Sequence, residues 1–260
     1  AYRSGTPSQG VGAGNAVVII DDTVDMADTA DKIMRSKTFD YATSCSTENA
    51  VIIQDTVYDT LIAELEKTGG YLVGREEKER LRRTMWTEKG LNPKIVGQEA
   101  HVIADLAGVE LPPEKSFFMI PETGTGKDYP FSGEKISVTM AVYRWSDFSQ
   151  AVAMVNDIIA YSGSGHSCGI HSRDRQRIME LGEKVKVSRV MVTQPQCLAN
   201  SGAWTNGMPM TLTLGCGSWG GNSTCENVTW KHLLNYTWVS YPIPSTRPSD
   251  QELFGSVMTE

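Results

Sequence analysis

Short β-branched runs recur along this chain, and a segment of helical periodicity separates each from the next. That alternation restricts the fold more than any other feature. Ala16–Ile20 (AVVII) and residues 50–53 (AVII) are unbroken apolar runs of strand length, the pattern of strands covered on both faces. Between them, residues 28–35 place Ala30, Ile33 and Met34 at helical spacing. The pattern continues with a helix over 57–67 closed by Gly69-Gly70, a charged helix over 76–86 and a helix over 98–107 closed by Gly108. Strands follow over 116–120 and 136–142, then a helix over 148–161 with Ala151, Val155 and Ile158 on one face. A strand over 168–171, a helix over 174–184 and a strand over 189–192 complete the series. This order predicts an α/β fold with a mostly parallel sheet flanked by helices, because parallel neighbours need a crossover long enough to hold a helix. Beyond 229 the alternation stops. Residues 230–244 are aromatic and extended, with Pro242 and Pro244 near their end, and suit an arm or edge strand.

Charge and cysteine usage narrow the function. The 260 residues carry 24 Lys and Arg against 31 Asp and Glu, a net charge of −7. An acidic chain lacks the basic footprint of a nucleic-acid binder. No apolar run approaches the ~20 residues of a bilayer-spanning helix, and no basic start followed by an apolar core opens the chain. The five cysteines are odd in number and form no CxxC pair. A reducing, cytoplasmic setting is expected, with one reactive thiol to look for.

Four segments invite chemical readings. Gly10-Val-Gly-Ala-Gly-Asn15 has the look of a phosphate loop, yet it precedes a strand where a dinucleotide fingerprint follows one. It predicts a tight turn where the chain passes close to something. Gly124-Thr-Gly-Lys127 lacks the first glycine and the hydroxyl of a P-loop and predicts a surface turn. His166, Cys168 and His171 match no standard zinc spacing, so no metal is expected. Cys45 lies in a small polar loop, Thr43-Ser-Cys-Ser-Thr47, between a helix and a strand. Small neighbours leave main-chain N–H groups free to hold an oxyanion beside a thiol nucleophile, although a buried inert cysteine fits the loop equally well.

Taken together, these segments resemble the CoA-acylating branch of the aldehyde dehydrogenase superfamily. The matching stretches run in order over nearly the whole chain: residues 1–7 with Gly10–Asn15, Ser36-Lys-Thr-Phe-Asp40, Ser44-Cys-Ser-Thr-Glu-Asn49, Gly133-Glu-Lys-Ile136, Gly165-His166, and residues 214–222 through Glu226-Asn227 and Lys231-His232. The resemblance implies that Cys45 is the catalytic nucleophile, that Glu134 holds the nicotinamide ribose, and that His166 lies near the active site with a part in CoA or thioester chemistry. It places Gly217, in the glycine loop, at the cofactor. The implied reaction converts a short aldehyde, CoA and NAD or NADP to an acyl-CoA through a cysteine thioester. Hydrolytic members carry a general-base Glu in a Glu-Leu-Gly-Gly motif where this chain has Gly10-Val-Gly-Ala. Water would need that base, whereas a thiol of pKa ~8.5 is already partly ionised.

The expected organisation is residues 1–14 as a joining segment from a nucleotide-binding half that is missing, along with the family's oxyanion-hole Asn. Residues 15–228 form the catalytic domain, and 229–260 a C-terminal arm through which copies oligomerise. Two other readings compete: a cysteine hydrolase or acyltransferase using Cys45 and His166 without nicotinamide, and a non-catalytic assembly domain built on the arm.

Overall fold

The computed structural model describes residues 1–257. Its strands are β1 (Ala16–Ile20), β2 (Glu48–Gln54), β3 (Gly70–Leu72), β4 (Trp86–Thr87), β5 (Gly90–Leu91), β6 (Phe117–Pro121), β7 (Thr139–Trp145), β8 (Cys168–His171) and β9 (Val190–Val192). The helices are α1 (Met26–Thr38), α2 (Tyr58–Lys67), α3 (Arg75–Met85), α4 (Ala100–Ala107), α5 (Phe148–Tyr161), α6 (Arg175–Lys184), α7 (Gln196–Asn200) and α8 (Asp250–Phe254). Among the described residues, seven strands form one sheet in the order β3-β6-β7-β2-β1-β8-β9. Every neighbouring pair in it is parallel. The expected α/β architecture is therefore present.

The unbroken apolar runs have a direct cause. Strand β2 lies between β1 and β7, with Ile52 opposite Ile19 on one side and Tyr143 on the other, and its residues 50–53 are wholly buried. Helices cover the sheet in two contacting groups: α1 against α2 and α7, and α5 against α6 and β1. Asp25 caps α1 by accepting from the Asp28 amide, and Asp147 and Asp174 do the same for α5 and α6.

Four expectations need correction. Gly70 opens strand β3 instead of ending the preceding helix, and Gly69 supplies the left-handed turn between them at φ +104°. Strand β7 begins at Thr139, not 136, because Ile136 itself has φ +43° and cannot enter a ladder. The segment over 230–244 makes no edge strand. Trp230–Leu233 forms a single 3₁₀ turn, and the following residues extend without a ladder partner, leaving Trp238 92% and Tyr241 80% exposed. Helices α7 and α8 were not anticipated, since five residues are too few to display a period. The final three residues of the expected arm, 258–260, lie outside the described residues.

Truncation at the centre of β2 tests this packing. Ile52→Ala is expected to cost about 2–5 kcal/mol of unfolding free energy, measured as a drop in urea midpoint without a change in the denaturation slope.

Candidate functional site

Cys45, Glu134 and His166 come together at one place, the amino-terminal edge of the parallel sheet. Gly14 and Asn15 lead into β1, Cys45 into β2, Glu134 into β7, His166 into β8, and Arg189 into β9. Ligands of open parallel sheets ordinarily meet the carboxyl ends of the strands. At the opposite edge, the carboxyl ends of β1 and β8 are covered by a satisfied polar cluster. Asp21 accepts from the hydroxyls of Thr23 and Ser172 and from Arg177, while Trp145 donates to the Ile20 carbonyl.

The Cys45 loop is built by backbone strain. After α1, Asp40, Tyr41 and Ala42 all adopt left-handed geometry, with φ of 48°, 48° and 61°. Each such residue costs on the order of 1–3 kcal/mol. Local bonds hold the turn: Thr43 Oγ1 donates to Asp40 Oδ2 at 2.5 Å, and Tyr41 donates to Glu99 at 2.9 Å. The chain then turns through Ser44–Thr47, with the Thr47 amide donating to the Ser44 carbonyl. This presents Cys45 before β2 begins.

The Gly10–Asn15 turn passes close to that loop. A Cβ on Gly14 would stand 1.8 Å from the Cys45 carbonyl oxygen. Asn15 fixes the approach: its buried Nδ2 donates to the carbonyls of Ser132 at 2.9 Å and Ser162 at 3.1 Å. Gly14 donates to Glu134 Oε1 at 3.2 Å, which brings the carboxylate to the thiol.

His166 Nε2 lies 3.0 Å from Cys45 Sγ, and its Nδ1 lies 2.9 Å from Ser167 Oγ. Burial, aided by the Arg189 cation, pushes the imidazole down to about 4, so it is neutral near pH 7. Burial pushes the Cys45 thiol up, as do Glu134 and Cys216; its own backbone N–H and Arg189 act in the other direction. Burial pushes Glu134 up to about 7, against the Gly14 amide and Lys135. A half-buried carboxylate whose Oε2 has no protein donor among the described residues fits a ribose hydroxyl.

Gly217 occupies the loop over 214–222, with φ +59°. Its N–H donates to the Thr224 carbonyl, and its own carbonyl accepts from Gly220 and Asn222. The loop packs on the others: a Cβ on Gly165 would stand 2.0 Å from the Cys216 carbonyl, and one on Gly12 would stand 3.1 Å from Cys216 Sγ. The remaining candidate metal residues, Cys168 and His171, are buried within β8. Sequence reasoning missed Arg189, Asn15 and Cys216. A cation heading an apolar strand was the available signal for the first.

No protein-family model matches the chain. It is similar to a sulfoacetaldehyde dehydrogenase of Acholeplasma sp, 44% identical over all of this chain and 54% of that protein. It is also similar to the acylating sulfoacetaldehyde dehydrogenase of Cupriavidus necator, 44% identical over 98% of this chain and 52% of that one. The structure of an acetylating aldehyde dehydrogenase from Geobacillus thermoglucosidasius superposes with a TM-score of 0.90 at 35% identity, over 96% of this chain and 55% of that one. The chain thus spans about half the length of the relatives it matches.

The close approach at Gly14 gives a direct test. Gly14→Ala is expected to cost about 1–3 kcal/mol in stability and to slow iodoacetamide labelling of Cys45, followed by peptide mass mapping. Gly182→Ala, where nothing lies within 4 Å of the new Cβ, is the control and leaves the labelling rate unchanged.

Proposed function

The chain belongs to the aldehyde dehydrogenase superfamily, in its CoA-acylating branch, and on that footing we propose that it carries the nucleophile of an enzyme converting a short aldehyde, CoA and NAD(P)+ to an acyl-CoA and NAD(P)H. The observation that supports this best is the 3.0 Å contact between Cys45 Sγ and His166 Nε2, at a sheet edge where four other segments converge.

Cys45 acts as a thiolate. Neutral His166, with its Nδ1–H given to Ser167, presents an Nε2 lone pair that takes the thiol proton and passes it to solvent; this tautomer is assigned from the hydrogen-bond network. The sulfur adds to the aldehyde carbon to give a thiohemiacetal. Backbone N–H groups of the Cys45 loop help hold the oxyanion. NAD(P)+, when bound, would supply the hydride acceptor for oxidation of that thiohemiacetal to a thioester. Glu134 would hold its ribose, and the loop around Gly217 would border it. The CoA thiolate then attacks the Cys45 thioester and expels the Cys45 thiolate. No carboxylate occupies position 10 to activate water, which favours the thiol acceptor.

The relatives named for sulfoacetaldehyde make a sulfonated two-carbon aldehyde the first substrate to test. The proposed organisation keeps 1–14 as a joining segment, 15–228 as the catalytic domain and 229–260 as an arm joining copies of the chain. Exposed Trp230, Leu233, Tyr236 and Trp238 support such a role. No helix among the described residues is long and apolar enough to cross a membrane. Five free thiols suit a cytoplasmic location.

The decisive assay uses the full-length protein: NADH absorbance should rise with a short aldehyde and depend on CoA. Acyl transfer without nicotinamide would support the hydrolase or acyltransferase reading instead, which shares the Cys45–His166 pair. Cys45→Ala is expected to abolish turnover while leaving the melting temperature within a few degrees; substantial residual activity refutes the nucleophile. Because the thiol is raised, the thiolate fraction and the acylation rate should climb about tenfold per pH unit through neutrality. Glu134→Gln removes a negative neighbour and should move that profile to lower pH, seen in the pH dependence of Cys45 alkylation.

A further inference from the structure

Arg189 is a buried cation with no carboxylate beside it among the described residues. It is 4% exposed, and its guanidinium makes four hydrogen bonds, all to neutral oxygens. Nε donates to Asn227 Oδ1 at 2.6 Å, Nη1 to the His166 carbonyl at 3.0 Å, and Nη2 to the carbonyls of Gly215 at 2.7 Å and Cys225 at 3.3 Å. Among the described residues no Asp or Glu oxygen comes within the 4.0 Å of an ion pair. The Asn227 amide is held with its oxygen toward the arginine, because its Nδ2 donates to the carbonyls of Asn200 and Pro209, both at 2.9 Å.

An isolated buried charge is costly unless something answers it. Buried Asp21 is answered by Arg177, and buried Lys135, which among the described residues meets only the carbonyls of Phe131 and Gly133, is pushed down by burial and can give up its proton; an arginine has neither recourse here. Arg189 Nη1 donates to the carbonyl of His166, whose ring lies 3.0 Å from Cys45 Sγ, and the groups able to become anions that bear on its charge are the thiols Cys216, Cys45 and Cys225. The charged and titratable groups facing Cys45 are Glu134 from the loop before β7, Cys216 from the glycine loop, His166 at the head of β8 and Arg189 at the head of β9. Arg189 is the cation in that set. It favours the Cys45 thiolate and opposes an imidazolium at His166, so the proton taken from sulfur is released from the ring to solvent.

We infer that Arg189 is a positioning residue for the Cys45 chemistry: its fork ties the glycine loop over 214–227 to the His166 peptide, and its unneutralised charge is answered by the sulfur anion that forms at Cys45. The inference rests on Cys45 being the nucleophile. It accounts for a feature the fold alone does not need, since the four accepting oxygens could bond a neutral donor without the cost of burying a charge.

The test is the pH profile of iodoacetamide labelling in the full-length protein, with the labelled cysteine mapped by mass. Arg189→Gln should raise the midpoint for Cys45 by about one pH unit, roughly a tenfold loss of thiolate near neutrality. Arg189→Lys keeps the charge but loses the fork, and should hold the midpoint within a few tenths of a unit. A merely structural role would make both variants alike. If Arg189→Gln does not fold, Asn227→Asp sets a carboxylate against the guanidinium and should raise the midpoint in the same direction. An unmoved midpoint in a folded Arg189→Gln or Asn227→Asp protein, or equal shifts in Arg189→Lys and Arg189→Gln, overturns the inference while the nucleophile stands. Label on a different cysteine instead overturns the nucleophile assignment and this inference with it.

Discussion

The main chain at Gly14 lies against the carbonyl of Cys45 so closely that no side chain could stand between them. That backbone contact fixes the rest of the site. The strained left-handed turn over 40–42 delivers the cysteine, and the Asn15 amide anchors the opposing strand to two distant carbonyls. The Gly14 amide holds Glu134 beside both. Left-handed residues without glycine cost energy, and they persist where surrounding packing over-determines them. Here the buried core of the sheet and the capped helix α1 supply that restraint.

Electrostatics at the sheet edge follow from burial. Excluding water raises the thiol and Glu134 and lowers His166, because each charged form loses solvation. Left alone, those shifts would leave the cysteine protonated and inert. A permanently charged guanidinium cannot escape the same penalty by giving up its proton, so it stays as a fixed positive centre. The site thus combines a thiol that needs an opposite charge with a cation that needs the same.

Much of the fold was legible because parallel strands buried on both faces must be continuously apolar. Ala16–Ile20 and residues 50–53 could hardly be anything else, and α5 and β8 begin and end where their periodicity and flanking residues indicate. The errors fell where local pattern is weak. Ile136 looks like a strand residue, but its backbone is left-handed and its carbonyl accepts from the Gly97 amide, a loop partner outside the sheet. The aromatic segment over 230–244 has strand-like composition, yet among the described residues it pairs with no strand.

From the sequence alone came the α/β class, the loop bearing Cys45, the motif order that identifies the family, and the absence of a carboxylate at position 10. These are properties of local periodicity and residue type, which short windows carry. Only the tertiary structure decided that Cys45, His166, Glu134 and Arg189 meet at the amino ends of adjacent strands. It alone showed that the glycines at 14 and 165 are sites of backbone contact, and that Arg189 has no carboxylate beside it among the described residues. Those facts depend on which strands pair and in what register, and segments more than a hundred residues apart in sequence become neighbours only once the sheet has formed.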